Sequence, residues 1–122
     1  MTMTDESTGF IAKMIGPKKR WKAYKARTKE LPANHRAAVE AIEHYLMHFV
    51  PIDADSNASM FEDLLDLFEQ ALANGTPIRE IVGEDPAEFA DAFAQNYSEA
   101  GGAYIPASAR KKLTDEIARA AR

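Results

Sequence analysis

The stretch MFEDLLDLFEQALANG, from Met60 to Gly75, decides the fold class of this chain. Its apolar residues recur every three or four positions between acidic ones, which is the pattern of an amphipathic helix with one buried face. Asn74-Gly75 then suits a left-handed helix end. We predict that this helix begins near Met60, because Ser59 and Glu62 have the spacing of a capping box.

Helical patterns continue on both sides of this stretch. Alanine occurs 22 times and valine 3 times, so helix-forming residues outnumber those that strands prefer. The sequence therefore predicts an all-α fold, an irregular bundle of four to five main helices with a short helical turn between them. In chain order, the other predicted elements are a first helix interrupted at Gly16-Pro17, a second from Ala33 to Phe49, the short turn through Ile78 and Val82 that ends at Gly83, a helix capped at Asp85-Pro86, and a terminal helix after Pro106.

The chain has 122 residues, enough for one hydrophobic core. We predict a disordered leader over residues 1–8 and a single helical domain over residues 9–122. Within that domain, residues 101–122 are expected to form a terminal helix that packs on the bundle or on a partner.

Composition excludes several classes of function. Because cysteine is absent, there is no disulfide framework, thiolate zinc site or thiol nucleophile. No apolar run reaches the length of a membrane-spanning helix, and the leader lacks the plan of a secretory signal. We find no phosphate-binding loop or nucleophile elbow. We therefore expect a cytoplasmic protein that is not an enzyme and has no cofactor.

The charges are strongly segregated along the chain. Residues 9–36 hold nine basic residues and one acidic, residues 37–100 hold one and fourteen, and residues 101–122 hold five and two. One interpretation is that a basic first helix and a basic tail lie along acidic helices of the same bundle. The alternative is that the segment Lys18–Lys29 is free to contact nucleic acid, through Lys18, Lys19, Arg20 and Lys22.

The second and third helices carry more apolar residues than one core stripe requires. Either the terminal segments cover the excess, or a second copy or another protein does. Our leading prediction is a non-enzymatic, regulatory protein-interaction module whose partner is a second copy, giving a homodimer, or another protein. The residues predicted to bind the partner are Phe61, Leu64, Leu65, Phe68 and Leu72.

A further alternative is a metal or small-ligand site on the second helix. His44 and His48 are four residues apart, so both imidazoles lie on one side of that helix. A metal site needs three or four ligands, and the sequence lacks the general-base glutamate of an HExxH helix. The metal hypothesis therefore depends on ligands from another helix or subunit.

Three stretches resemble a bacterial family of uncharacterised proteins, domain of unknown function 1048. They are IGPKKRWKAYKARTKELP at Ile15–Pro32, MFEDLLDLFEQALANG at Met60–Gly75 and IREIVGEDPAEFADAF at Ile78–Phe93. The resemblance implies a compact all-helical bundle, and residues 101–122 match the family less well. It also implies frequent gene proximity to PadR-like transcriptional repressors, and hence a role in regulation with such a repressor as a candidate partner. It carries over no catalytic or binding residues.

Overall fold

A computed structural model describes residues 18–98 and 105–122 of the chain. Within those two ranges there is no strand, and one isolated β-bridge joins Pro51 to Ser98. The prediction of an all-α fold is confirmed. The helices of the described residues are α1 (residues 18–28), α2 (Ala33–Leu46), α3 (Ala54–Ala73), α4 (Ile78–Val82), α5 (Pro86–Ala94) and α6 (Ala107–Ala120).

Some predictions concern residues outside the described ranges. These are the leader at residues 1–8, the break at Gly16-Pro17 and residues 101–104 at the start of the predicted terminal segment. The helical pattern predicted for the first helix is present in α1, where Trp21 and Tyr24 follow each other at a spacing of three.

Local sequence signals place several helix ends as predicted. Asp85 caps α5 by accepting a hydrogen bond from the amide of Glu88 at 3.2 Å, and Pro86 occupies the first turn. Gly75 and Gly83 have φ angles of 72° and 75°, in the left-handed region that glycine adopts without strain. They follow the last turns of α3 and α4, as the sequence predicts.

The predicted start of α3 is wrong. The helix begins at Ala54 rather than near Met60, because Asp53 caps it by accepting a hydrogen bond from the amide of Ser56 at 2.7 Å. The predicted capping box therefore lies inside the helix, where the amides already have partners. α2 is also shorter than predicted, since it ends at Leu46.

α2 is the central helix of the described bundle, in contact with α3, α5 and α6. Arg110, near the start of α6, binds Tyr45, near the end of α2. At the other end of the pair, Ala37 and Ala120 border the same cleft. α2 and α6 therefore run antiparallel.

α6 packs on its own chain. Leu113 and Ile117 are 2% and 0% exposed, within the same core cluster as residues of α2 and α3. Arg110 Nη1 donates hydrogen bonds to the hydroxyl of Tyr45 at 2.8 Å and to Asp91 of α5 at 2.7 Å. The sequence alone did not decide whether the terminal segment or a partner covers the excess apolar surface. In the structure, α6 covers part of it.

The buried position of α6 generates a stability prediction. Replacing Ile117 by alanine should lower the free energy of unfolding by about 2–5 kcal/mol, because the substitution removes buried methyl groups and leaves a cavity. Urea unfolding followed by far-UV circular dichroism measures this loss. Thr114→Ala, at an exposed position of the same helix, should change the free energy by less than about 0.5 kcal/mol. Equal effects of the two substitutions would contradict the packing of α6.

Candidate functional site

The residues predicted to bind a partner lie mostly inside the chain's own core. Phe61, Leu64, Leu65 and Phe68 are no more than 4% exposed, so they cannot form an exposed binding row, and this expectation is wrong for them. Only Leu72, at 38% exposure, keeps a large surface in contact with solvent. The physical reason is that α2 packs against α3 and that Trp21 and Tyr24 of α1 contact Phe61, so the amphipathic pattern of α3 reflects core packing.

The arginines of α1 pair with the acidic face of α3. Arg20 donates hydrogen bonds to Glu62 at 2.7 Å and Asp55 at 2.6 Å. Arg27 binds Glu69 at 2.6 Å, seven residues further along both helices. Because a later residue of α1 meets a later residue of α3, the two helices run parallel. The interpretation that a basic first helix lies along an acidic one therefore holds for α1.

On its other side α1 is held to α2 through a buried carboxylate. Glu43 is 2% exposed; it accepts a hydrogen bond from the hydroxyl of Tyr24 at 2.8 Å and one from Lys25 Nζ at 3.1 Å. A buried carboxylate costs free energy unless it is paired and hydrogen-bonded, and both conditions are met by residues of α1. Thr28, also buried, donates to the carbonyl of Lys25 at 2.7 Å.

These contacts between α1 and α2 determine the position of Trp21, which lies one turn before Tyr24 on α1. The indole packs edge-on against Phe61, with ring centroids 5.4 Å apart, and tilted against Tyr24 at 5.1 Å. Lys25 Nζ lies 5.6 Å from the indole centroid, within cation–π distance. Trp21 is nevertheless 37% exposed. The indole is therefore partly packed against Phe61 and Tyr24 and partly exposed to solvent.

Two concavities adjoin the open edge of Trp21. One, of about 340 Å³, lies between α1 and the first turns of α3. The other, of about 360 Å³, lies between Trp21 and the segment that follows α2. Both are bordered by Trp21, Asn57 and Phe61, so they lie next to each other at this end of the bundle.

Met47, Phe49 and Pro51 border the second concavity, and Val50 and Ile52 lie in the same segment of the chain. Met47, Val50 and Ile52 are 54%, 47% and 56% exposed, and Phe49 is half-buried beside Trp21. We call Trp21, Met47, Phe49, Val50 and Ile52 the Trp21 face. The sequence indicated Met47 and Phe49 as excess apolar residues of the second helix, but it did not bring them together with Trp21, Val50 and Ile52, because the segment after α2 has no helical period. The available signal was a run of apolar residues around Pro51, where no element buries them.

The residues predicted for nucleic-acid binding are divided between two environments. Arg20 is engaged by acidic residues of α3, as described above. Lys18, Lys19 and Lys22 are exposed, and within residues 18–98 and 105–122 none of them forms an ion pair. The charge available to an external ligand is therefore smaller than the basic segment suggests.

Among the described residues, no third ligand joins His44 and His48 at the predicted metal site. His44 is exposed, and His48 lies with Nδ1 3.0 Å from the carbonyl oxygen of Tyr45. In the part of the chain that the structure describes, no three histidine, cysteine or acidic side chains form a group suited to a metal ion. The depression beside the two histidines is about 80 Å³, a quarter of the size of the one beside Trp21.

Together, the fold and the Trp21 face define a small all-helical bundle with an open apolar surface at one end. The chain belongs to the family described as Protein of unknown function (DUF1048), whose profile matches residues 12–118. The match includes most of α6, so the terminal helix is part of the family's pattern. A comparison with curated proteins finds no match. None of the described helices is long and apolar enough to cross a membrane.

The contact between Tyr24 and Glu43 generates a prediction about alkaline pH. Burial, followed by the charge of Glu43 and its hydrogen bond, raises the pKa of Tyr24 above its ordinary value of 10.0. A phenol whose pKa is raised by folding contributes stability that is complete below pH 10 and is lost as the pH rises further. Burial and a bond to Asp63 likewise raise the pKa of Tyr97 to about 12.

Tyr24→Phe should therefore lower stability at pH 8 and flatten its decline above pH 10. The expected loss at pH 8 is about 1.5–3 kcal/mol, the usual effect of a hydrogen bond to a charged group. Urea unfolding at pH 8, 9, 10 and 11 measures both effects, with Thr114→Ala as the matched control. Parallel stability curves for wild type and Tyr24→Phe between pH 9 and 11 would contradict this interpretation.

Proposed function

We propose that this chain is a non-enzymatic protein-interaction module, and that the Trp21 face is its contact surface. The observation that carries the proposal is an open depression bordered by Trp21 and Met47, which are 37% and 54% exposed, in a segment where Val50 and Ile52 are also exposed. An exposed apolar patch on a small protein is typical of an interaction site. A depression beside it accepts a large side chain of a partner, as the centres of protein interfaces do.

The way Trp21 is held favours binding. Tryptophan is among the residues that contribute most to the binding energy of interfaces. Its contacts with Phe61 and Tyr24 fix the orientation of the indole before a partner arrives. Less side-chain entropy is then lost on association, which leaves more of the interaction energy as affinity.

The proposed role is regulatory and cytoplasmic. It is supported by the resemblance described above, which implies that genes of this family frequently adjoin those of PadR-like transcriptional repressors. A repressor of this class is our first candidate partner, and a second copy of the chain, giving a homodimer, is the other. Because a bacterial repressor acts on DNA in the cytoplasm, a complex of this chain with such a repressor would also lie there.

Cross-linking in living cells tests the proposal. A photoreactive amino acid replaces Met47 in one variant and Ala92, an exposed residue of α5, in a matched control. Irradiation should give a specific cross-linked species from position 47 and none from position 92. Mass spectrometry of that species should identify a transcriptional repressor or a second copy of the chain.

The variant Ile52→Glu supplies the second control. It places a charge on the exposed Trp21 face and should remove the cross-link from position 47, because a desolvated carboxylate opposes apolar contact. The thermal midpoint should remain that of the wild type, since Ile52 is 56% exposed. Cross-linking that is equal at positions 47 and 92, or that persists in Ile52→Glu, would contradict the proposed contact surface.

A further inference from the structure

The first of the two concavities, between α1 and the first turns of α3, is distinct from the proposed contact surface. Its volume is about 340 Å³, and we call it the α1–α3 cavity. Met47 and Phe49 border the second concavity and not this one. Of the residues in the Trp21 face, Trp21 alone borders the α1–α3 cavity.

The α1–α3 cavity exists because α3 has small side chains near its start. Ala54 and Ala58 lie one turn apart on the side of α3 that borders the cavity, and each contributes only a methyl group. Further along the same side, Phe61 fills the corresponding space and contacts Trp21 and Tyr24. The space beside Ala54 and Ala58 is therefore left open between the two helices.

Three aromatic rings form the inner surface of this cavity. They belong to Trp21, Tyr24 and Phe61, and their centroids are 5.1, 5.4 and 6.0 Å apart. Tyr24 and Phe61 are 1% and 4% exposed, so the cavity reaches the core. Aromatic rings attract a further ring edge-on or by offset stacking, in addition to the burial of apolar area. A mainly apolar cavity of this size with a few polar groups is typical of a small-molecule site.

The charged groups at the cavity largely balance one another. Lys18 and Arg20 border it on α1, and Glu62 borders it on α3. Arg20 donates hydrogen bonds to Glu62 at 2.7 Å and to Asp55 at 2.6 Å, so two carboxylates share its charge. Asp53, just before α3, adds another negative charge. No excess of positive charge is present to hold a carboxylate or phosphate, and an ionised ligand would lose hydration without compensation.

Asn57 offers a polar group to a ligand in this cavity. It is half-buried, it borders the cavity, and no hydrogen bond of its side-chain amide occurs among the described residues. An amide side chain both donates and accepts hydrogen bonds. It can therefore orient a ligand through one uncharged polar atom.

We propose that the α1–α3 cavity binds a neutral aromatic small molecule. A ring of the ligand packs against Trp21, Tyr24 and Phe61, and one polar atom of the ligand bonds to Asn57. This binding activity goes beyond the protein contact proposed above and does not depend on it.

A matched pair of fluorescent probes tests this inference on the full-length chain. 1-Anilinonaphthalene is neutral, and 1-anilinonaphthalene-8-sulfonate has the same rings with one added negative charge. The emission of each probe increases when it moves from water into an apolar site. We expect the neutral probe to bind one site with a dissociation constant of about 10–100 μM. It should bind at least about tenfold more tightly than the sulfonate, because the cavity does not compensate the lost hydration of an anion.

Filling the cavity locates the bound probe. Ala58→Leu should weaken binding of 1-anilinonaphthalene by about tenfold or more, because the larger side chain occupies the space between α1 and α3. Ala54→Leu narrows the cavity from an exposed position and should also weaken binding, which keeps the test decisive if Ala58→Leu perturbs the fold. Ala73→Leu makes the same change at an exposed position at the other end of α3 and should bind the probe as the wild type does.

Ile52→Glu separates this site from the Trp21 face. Ile52 does not border the α1–α3 cavity, so this variant should bind 1-anilinonaphthalene as the wild type does. Loss of probe binding in Ile52→Glu would place the probe on the Trp21 face and overturn the inference.

Two other outcomes would overturn the inference. They are binding of the sulfonate that equals or exceeds that of the neutral probe, and binding that is unchanged in both Ala54→Leu and Ala58→Leu. If the neutral probe fails to bind while position 47 still gives its specific cross-link in cells, the small-molecule inference fails and the proposed function stands. If position 47 gives no specific cross-link while the probes behave as expected, the reverse holds.

Discussion

The hydrogen bond between Tyr24 and the buried carboxylate of Glu43 is the interaction on which the candidate site depends. Glu43 lies on the central helix with 2% of its surface exposed, and residues of α1 satisfy its carboxylate. α1 must therefore lie across α2 at this level of the bundle, since an unpaired carboxylate there would be strongly destabilising. Trp21, one turn earlier on the same helix, is consequently placed at the end of the bundle, beside the segment that follows α2.

The position of α1 against α2 and α3 also places its basic residues in different environments. Arg20 and Arg27 meet the acids of α3, and their hydrogen bonds to Glu62 and Glu69 raise the pKa of both guanidinium groups above its ordinary value. Exposed ion pairs of this kind add little stability, but they set the register of two parallel helices. Lys18 and Lys22 are exposed to solvent. The orientation of α1 thus determines which of its basic residues pair within the chain.

Local patterns predicted the fold better than they predicted the site. Residues close in sequence determine the cap at Asp85 and the left-handed glycine at Gly83, so both could be read directly. The start of α3 could not, because Asp53 and Ser59 both have the chemistry of a cap and only tertiary packing selects between them. An amphipathic pattern shows that Leu64 and Phe68 are buried, but not whether the same chain or a partner buries them. The aliphatic residues around Pro51 lack a period, so their common surface with Trp21 required coordinates.

The central claim is that Trp21 packs against Phe61 and Tyr24 but remains partly exposed to solvent in the isolated chain. Acrylamide quenching of its fluorescence tests this claim most directly, because no other tryptophan contributes to the signal. We expect a quenching constant between that of a fully buried tryptophan and that of free N-acetyl-tryptophanamide. A quenching constant as low as that of a buried tryptophan would mean that the Trp21 face is already covered. A constant as high as that of the free amide would mean that α1 does not pack against α2 and α3. Either result would contradict the account.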